Sequence, residues 1–230
     1  SDDKFIPSLM EQAEAIHRHG AKVAIQLQHG GKLAMEDLAA GNQPVSASAG
    51  ALPRGGLRRD MAVAEISRLM TRYAKMPAKL ETIELTVEEI HQMVKKFGEA
   101  AERVKKAGID GVEIHAAHGY LLSEFLSRSC NKRQDEYGGD LKGRAKIVLE
   151  IVKAVRDKVG ADYPMWCRID GREFGIEDGI TIEEGKELAR LLEDAGVDAI
   201  HVSGYGGLVG SFYDAPLVYP PGNLVPLAEG

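Results

Sequence analysis

A pair of histidines, His115 and His118, followed by Tyr120, is the part of the sequence best suited to chemistry. Two imidazoles three residues apart, placed just after a strand, can converge on a single atom. If that atom is a carbonyl or carboxylate oxygen, two N–H donors hold it and polarise it, as in an oxyanion site. A phenol beside them can then deliver a proton to a nearby carbon.

Two other interpretations of the histidine pair stay open. A zinc ion would need at least one further ligand, and Glu113 shares the strand parity of His115 but lies deeper in the fold. Alternatively, both histidines have a purely structural role. We expect the pair to bind an oxygen atom, and we expect no metal site.

Polar side chains also mark the ends of three other apolar runs, namely Gln26 and Gln28, Arg168 and Asp170, and His201 and Ser203. Ligands bind at the carboxyl ends of strands in parallel α/β folds, so we expect these groups to line one site. Gln26 is either a satisfied core amide or a partner for a planar ligand with amide edges. Arg168 either pairs with Asp170 or Glu173, or faces an anionic or electron-rich ring. His29, after the first run, suits a structural role as well as a functional one.

The elements that position these groups repeat along the chain. Each repeat is an amphipathic helix, a glycine and a short apolar run, and the three repeats are residues 11–28, 97–115 and 185–204. The glycines suit the left-handed residue that ends a helix, and they are Gly20, Gly108 and Gly196. A fourth apolar run, 164–170, follows a helix predicted over 142–160. Helices alternating with nearly continuous apolar strands predict an α/β fold with a parallel sheet.

A long excursion, about residues 30–85, separates the first two repeats. Because a structureless loop of this length is uncommon in a compact domain, we expect a hairpin or short helices over the mouth of the barrel. The chain opens with a helix over 4–19 and closes on PGNLVPLAEG, which has the pattern of a helix start. A complete (β/α)8 barrel takes about 250 residues. With about four strands of eight, residues 1–230 are expected to be the middle of a single TIM-barrel domain, truncated at both ends.

Composition excludes several other classes of protein. The formal charge is −6, from 29 Lys and Arg against 35 Asp and Glu, which gives no support to nucleic-acid binding. No apolar run approaches the roughly 20 residues of a membrane helix, and we expect no secretory leader. The two cysteines, Cys130 and Cys167, lie in unrelated contexts. We therefore expect a cytoplasmic protein that acts on a small molecule, without nucleic-acid or membrane partners.

Several segments together resemble the Old Yellow Enzyme family of flavin-dependent NAD(P)H oxidoreductases. The most specific are GVEIHAAHGYLLSEFL (111–126) and NKRQDEYGG (131–139). The segment IQLQHGGK (25–32) resembles the third-strand motif of that family, and WCRIDGREF (166–174) resembles its fifth-strand arginine region. The GxEF variant is similar to the 2-enoate and 2,4-dienoyl-CoA reductase branch.

The resemblance implies a barrel with FMN at its C-terminal mouth and NAD(P)H as the reductant. Gln26 would hydrogen-bond the pyrimidine edge of the flavin, and Arg168 would stabilise the reduced, anionic ring. His115 and His118 would bind the carbonyl oxygen of an activated alkene, and Tyr120 would protonate its α-carbon after hydride passes from flavin N5 to the β-carbon. The implied activity is the reduction of an enoate, an enoyl thioester or an enone, by ping-pong turnover.

The chain also departs from this family. Lys32 stands where the family often has arginine, and Arg128 replaces part of a Leu-Ser-Pro turn. The first two and last two strands of the family barrel are absent, including the loops that bind the FMN phosphate, so the isolated chain is expected to be inactive. In longer dienoyl-CoA reductase relatives, an iron–sulfur segment would lie beyond Gly230.

Other functions stay open on the sequence alone. They are a flavin-dependent amine dehydrogenase or demethylase on the same barrel, a non-catalytic barrel fragment, and a sugar- or metal-binding barrel. Open strands at both ends would allow a homo-oligomer to form. The sequence does not distinguish NADH from NADPH and does not name the substrate.

Overall fold

The computed structural model describes residues 2–34, 40–51, 81–206, 222 and 224–229. The helices, in chain order, are α1 (Ile6–His17), α2 (Val87–Lys106), α3 (Leu121–Leu126), α4 (Leu141–Val159), α5 (Ile182–Asp194) and α6 (Val225–Ala228). The strands are β1 (Ala24–Leu27), β2 (Val45–Ser46), β3 (Gly50–Ala51), β4 (Glu81–Glu84), β5 (Gly111–Ala116), β6 (Met165–Phe174) and β7 (Ala199–Gly206).

Four strands form the main sheet in the order β1-β5-β6-β7, and each pairs in parallel with its neighbour. This order confirms the predicted alternation of helices and parallel strands. Within the pairing, Gln26 lies level with Glu113, and His115 lies level with Arg168, which is level with His201. Because side chains alternate along a strand, these five polar residues share one face of the sheet.

The opposite face of the sheet is apolar and is covered by helices. Val112, Ile114 and Cys167 are fully buried there, in one core with residues of α2, α4 and α5. Two capping boxes start the covering helices α2 and α5, with Thr86 and Thr181 as the N-cap residues. Complete burial of one aliphatic side chain contributes about 1.5–3 kcal/mol, so this core is what holds the sheet in place.

The glycines predicted to end helices have the backbone conformation that this position requires. Gly20, Gly108 and Gly196 have φ of +75°, +76° and +92°. An L-residue with a Cβ would be strained there, so these positions let the chain leave each helix and enter the next strand. The helix start predicted in PGNLVPLAEG is also found, as α6.

The excursion between β1 and α2 is described only in part, since 35–39 and 52–80 lie outside the described residues. Its described strands form a second, three-stranded sheet in the order β2-β4-β3, with β3 antiparallel to β4. The buried guanidinium of Arg133 donates to the carbonyl oxygens of Ala47 (3.0 Å) and Leu85 (2.7 Å). The loop after α3 therefore ties this small sheet to the main body. In the described part of the chain, each helix is too short or too polar to cross a membrane.

A buried arginine, Arg144, joins three segments around α4. Its side chain donates to the carbonyl oxygens of Leu126 and Gly139 and to Glu184 Oε1, the last at 2.5 Å. Only 2% of this side chain is exposed. Arg144 therefore links α3, α4 and α5.

We expect Arg144→Met to lower the free energy of unfolding by about 3 kcal/mol, because it removes the buried donor of two carbonyls and the ion pair with the partly buried Glu184. Urea denaturation followed by circular dichroism measures the change. The matched control is Lys153→Ala, which removes an exposed ion pair with Asp157 and is expected to cost at most about 0.5 kcal/mol. Equal losses in the two variants would contradict the bridging role of Arg144.

Candidate functional site

The polar face of the main sheet is organised around one carboxylate, Glu113. Glu113 accepts hydrogen bonds from Gln26 Nε2, from Trp166 Nε1 at 2.7 Å and from His201 Nδ1 at 2.7 Å. Burial opposes the charge of Glu113, but these three donors outweigh it and lower the pKa of the carboxyl below its usual range. Glu113 is therefore a charged acceptor that hydrogen-bonds one residue from each of the neighbouring strands, β1 and β6, and one from β7.

This network changes the role expected for two residues. Glu113 was considered as a third metal ligand, but its oxygens are occupied by side-chain donors. Among the residues that the structure describes, no group of three or more His, Cys, Asp and Glu side chains could hold a metal ion. Gln26, expected to be either a satisfied amide or a ligand partner, uses its nitrogen on Glu113 and is exposed on the open side of the sheet.

The structure brings His115, His118 and Tyr120 together just above this face. The rings of His115 and His118 have centroids 4.9 Å apart and are nearly perpendicular, at 88°. The ring of Tyr120 lies 5.1 Å from that of His115. Both histidines are buried, with 2% and 5% of their surfaces exposed. Three groups predicted from sequence to act together are therefore adjacent.

The protonation state of the two histidines follows from burial and from a neighbouring cation. Burial, reinforced by the charge of Arg168, lowers the pKa of His115 to about 4 and that of His118 to about 3. Both rings are therefore neutral near pH 7, with one N–H each. The amide of Ala117 donates to His115 Nδ1 at 3.2 Å, so the hydrogen of this ring lies on Nε2.

A serine on β7, which sequence analysis noted only as a strand-end residue, orients both His118 and Arg168. Ser203 Oγ lies 2.6 Å from His118 Nε2 and accepts a longer bond, 3.4 Å, from Arg168 Nη2. In the described part of the chain no ion pair joins Arg168 to Asp170 or Glu173, although the sequence allowed for one. The Nε of Arg168 is buried and has no hydrogen-bond partner within the described residues.

The loop after β1 serves mainly to pack against α3. His29 Nδ1 accepts from the amide of Gly31 at 3.1 Å, which favours the structural role for this histidine. Gly31 has φ of +56°, and a Cβ there would lie 2.8 Å from the amide nitrogen of Leu121. Lys32, which stands where the resembled family often has arginine, places its ammonium 3.0 Å from the sulfur of Cys130. The absence of a Cβ at Gly31 therefore lets the loop after β1 pack against the start of α3.

Comparison with known proteins identifies the chain. Residues 1–208 match the NADH:flavin oxidoreductase / NADH oxidase family. An NADH oxidase of Thermoanaerobacter brockii is 38% identical over 208 residues, which is 88% of this chain and 27% of the relative. The chain thus spans less than a third of the length of this relative.

Solved structures agree with this assignment. A 2-naphthoyl-CoA reductase in complex with 2-naphthoyl-CoA superposes with a TM-score of 0.77 and 31% identity, over 99% of this chain and 33% of the other. An old yellow enzyme homologue from Zymomonas mobilis superposes with a TM-score of 0.69 and 26% identity, over 90% of this chain and 54% of the other. The four parallel strands thus correspond to part of the flavin-oxidoreductase (β/α)8 barrel. As its resemblance to Old Yellow Enzyme predicted, the chain belongs to the NADH:flavin oxidoreductase / NADH oxidase family.

Proposed function

We propose that the protein is an FMN-dependent NAD(P)H oxidoreductase that reduces the activated C=C bond of an enoate, an enoyl thioester or an enone. The observation that carries this proposal is the cluster of two neutral, buried histidines beside a tyrosine, at the edge of a polar sheet face that carries Arg168. A carbonyl-activating site needs N–H donors and a proton source close together, and this cluster supplies both.

The residues of the polar face fit a flavin. Arg168 Nε is a buried cationic donor with no partner in the part of the chain that the structure describes, which suits a ring that becomes an anion when it is reduced. Gln26 is exposed on the same face, where its amide can pair with the amide-like edge of a planar ligand. When bound, FMN would supply the hydride chemistry that amino-acid side chains lack.

In this proposal the histidines bind the carbonyl oxygen of the substrate. The Nε2–H of His115 donates to that oxygen, where negative charge increases as the alkene is reduced. A neutral donor stabilises this charge without a competing proton transfer, and exclusion of water strengthens the interaction. His118, oriented by Ser203, supports the same oxygen.

Tyr120 completes the reaction as the proton donor. Its ring lies next to His115, so a substrate held by its oxygen on the histidines presents the adjacent carbon to the phenol. A thioester, a carboxylate or a ketone would each present an equivalent carbonyl or carboxylate oxygen to the two histidines. The structural neighbour in complex with 2-naphthoyl-CoA supports an aromatic or unsaturated thioester as one class to test first.

The first prediction concerns the charge of the histidines. In protein without flavin, the NMR signals of the His115 and His118 rings should stay those of the neutral form down to about pH 5, because burial holds both pKa values well below 6.5. Unfolded histidines take up protons below about pH 6.5. The pair should therefore reduce the free energy of unfolding as the pH falls from about 6.5 to 4. Replacing both histidines with glutamine should remove that part of the pH dependence of stability. Titration of either ring near pH 6.5 in the folded protein would contradict the prediction.

The second prediction tests the function through Tyr120. In an FMN-loaded protein that contains this chain together with the rest of the barrel, Tyr120→Phe should slow the reoxidation of flavin by cyclohex-2-enone by about 10²- to 10⁴-fold, the usual size of a general-acid contribution. Reduction by NADH or NADPH should change little, since that step needs no phenol. Stopped-flow absorbance of the flavin separates the two half-reactions.

The matched control for this test is Tyr163→Phe. The hydroxyl of Tyr163 donates to the carbonyl of Ile109 at 2.7 Å, at the opposite end of the sheet from the histidines. This variant should keep both half-reactions. Failure of the wild-type protein to reduce enones, enoates or enoyl thioesters, together with oxidation of a secondary or tertiary amine, would replace the proposal with the amine dehydrogenase alternative.

A further inference from the structure

The loop that carries His118 has an unusual backbone conformation that something must hold in place. His118 has φ of +63°, in the left-handed region that residues with a Cβ rarely adopt, and Gly119 follows with φ of +67°. A strained histidine at a binding site persists only when its surroundings fix it. The position of its ring therefore depends on the conformation of this turn.

One buried carboxylate oxygen fixes both residues of this turn. Asp170 Oδ2, on β6, accepts a hydrogen bond from the amide of His118 at 2.8 Å. The same oxygen accepts from Ser123 Oγ at 3.2 Å, and Ser123 Oγ in turn accepts from the amide of Gly119 at 3.2 Å. Asp170 is fully buried, and its other oxygen, Oδ1, has no hydrogen-bond partner among the residues that the structure describes.

The surroundings of Asp170 make its charge sensitive to pH. The groups that face it are Arg168 and Glu173 on its own strand, His118 on the loop, Ser123 on α3 and Ser203 on β7. Burial raises the pKa of Asp170 to about 7, and the charge of Glu173 adds to this, against the opposing bonds from His118 and Ser123 and the charge of Arg168. The carboxyl thus changes from neutral to charged across the physiological range.

We propose that Asp170 is a positioning residue, which holds the His118–Gly119 turn when it is charged and loosens it when it is protonated. A charged acceptor makes hydrogen bonds roughly twice as strong as a neutral one, so loss of the charge weakens the bonds that offset the strain of the turn. Carbonyl binding by His118 then increases as the pH rises through neutrality. Its consequence for substrate binding rests on the proposed function, but the dependence of the turn on Asp170 does not.

The first experiment follows the amide resonances of His118 and Gly119 in ¹⁵N-labelled protein without flavin, between pH 5 and 9. Both amides should shift with a midpoint near pH 7 in the wild-type protein. Asp170→Asn, which keeps the shape and one acceptor oxygen, should abolish the shift of both. A wild-type protein whose amides do not titrate, or an Asp170→Asn variant that titrates as before, would overturn the proposal.

Two further variants keep the test decisive. Glu173→Gln removes the neighbouring carboxyl, so the titration should persist with a lower midpoint, whereas its complete loss would assign the effect to Glu173. Ser123→Ala leaves Asp170 intact but breaks the bridge to Gly119, so only the Gly119 shift should be lost. The Ser123 variant also serves if Asp170→Asn fails to fold, and an unchanged Gly119 shift would then count against the proposal.

The second experiment measures binding of cyclohex-2-enone, which does not titrate, by the change in flavin absorbance without reductant. The affinity of FMN-loaded wild-type protein should increase about fivefold from pH 5.5 to 8.5, and that of Asp170→Asn should stay constant. Binding with the same affinity at both pH values in the wild-type protein would overturn the inference. If the amides titrate but no enone binds at any pH, the proposed function fails and the control of the turn by Asp170 stands.

Discussion

The site depends on the in-register pairing of four parallel strands. Pairing sets His115 beside Arg168 and Gln26 beside Glu113, on a face that the covering helices do not occupy. Because side chains alternate, a slip of one residue would move these groups into the apolar core and bring Ile114 to the polar face. The free energy of burying the apolar face is therefore also what keeps the polar face in register.

Two carboxylates on this sheet have opposite properties because their partners differ. Glu113 accepts bonds from three side chains, and these lower its pKa despite burial. Asp170 has two donors on a single oxygen, and Glu173 lies close to it, so burial prevails and the pKa rises. Glu113 therefore keeps its charge, whereas the charge of Asp170, which supports the His118–Gly119 turn, changes with pH. The same sheet thus carries one carboxylate whose charge is constant and one whose charge depends on pH.

Several features of the site are unfavourable for stability. His118 is strained, both histidines of the pair are buried without charge, and Arg168 has one donor without a partner among the described residues. Such features occur at functional sites and are offset by consistent packing elsewhere. Here the offset comes from the core between the sheet and α2, α4 and α5.

The sequence by itself determined the features that are local in the chain. Helix-ending glycines such as Gly108 predicted the repeat of helices and strands, and the short span of His115 to Tyr120 predicted that these side chains lie close together. The structure alone decided which distant residues meet. Gln26 donates to Glu113 across 87 positions, and Asp170 accepts from the amide of His118 across 52. Such contacts depend on strand register, which arises only when the whole apolar face is packed.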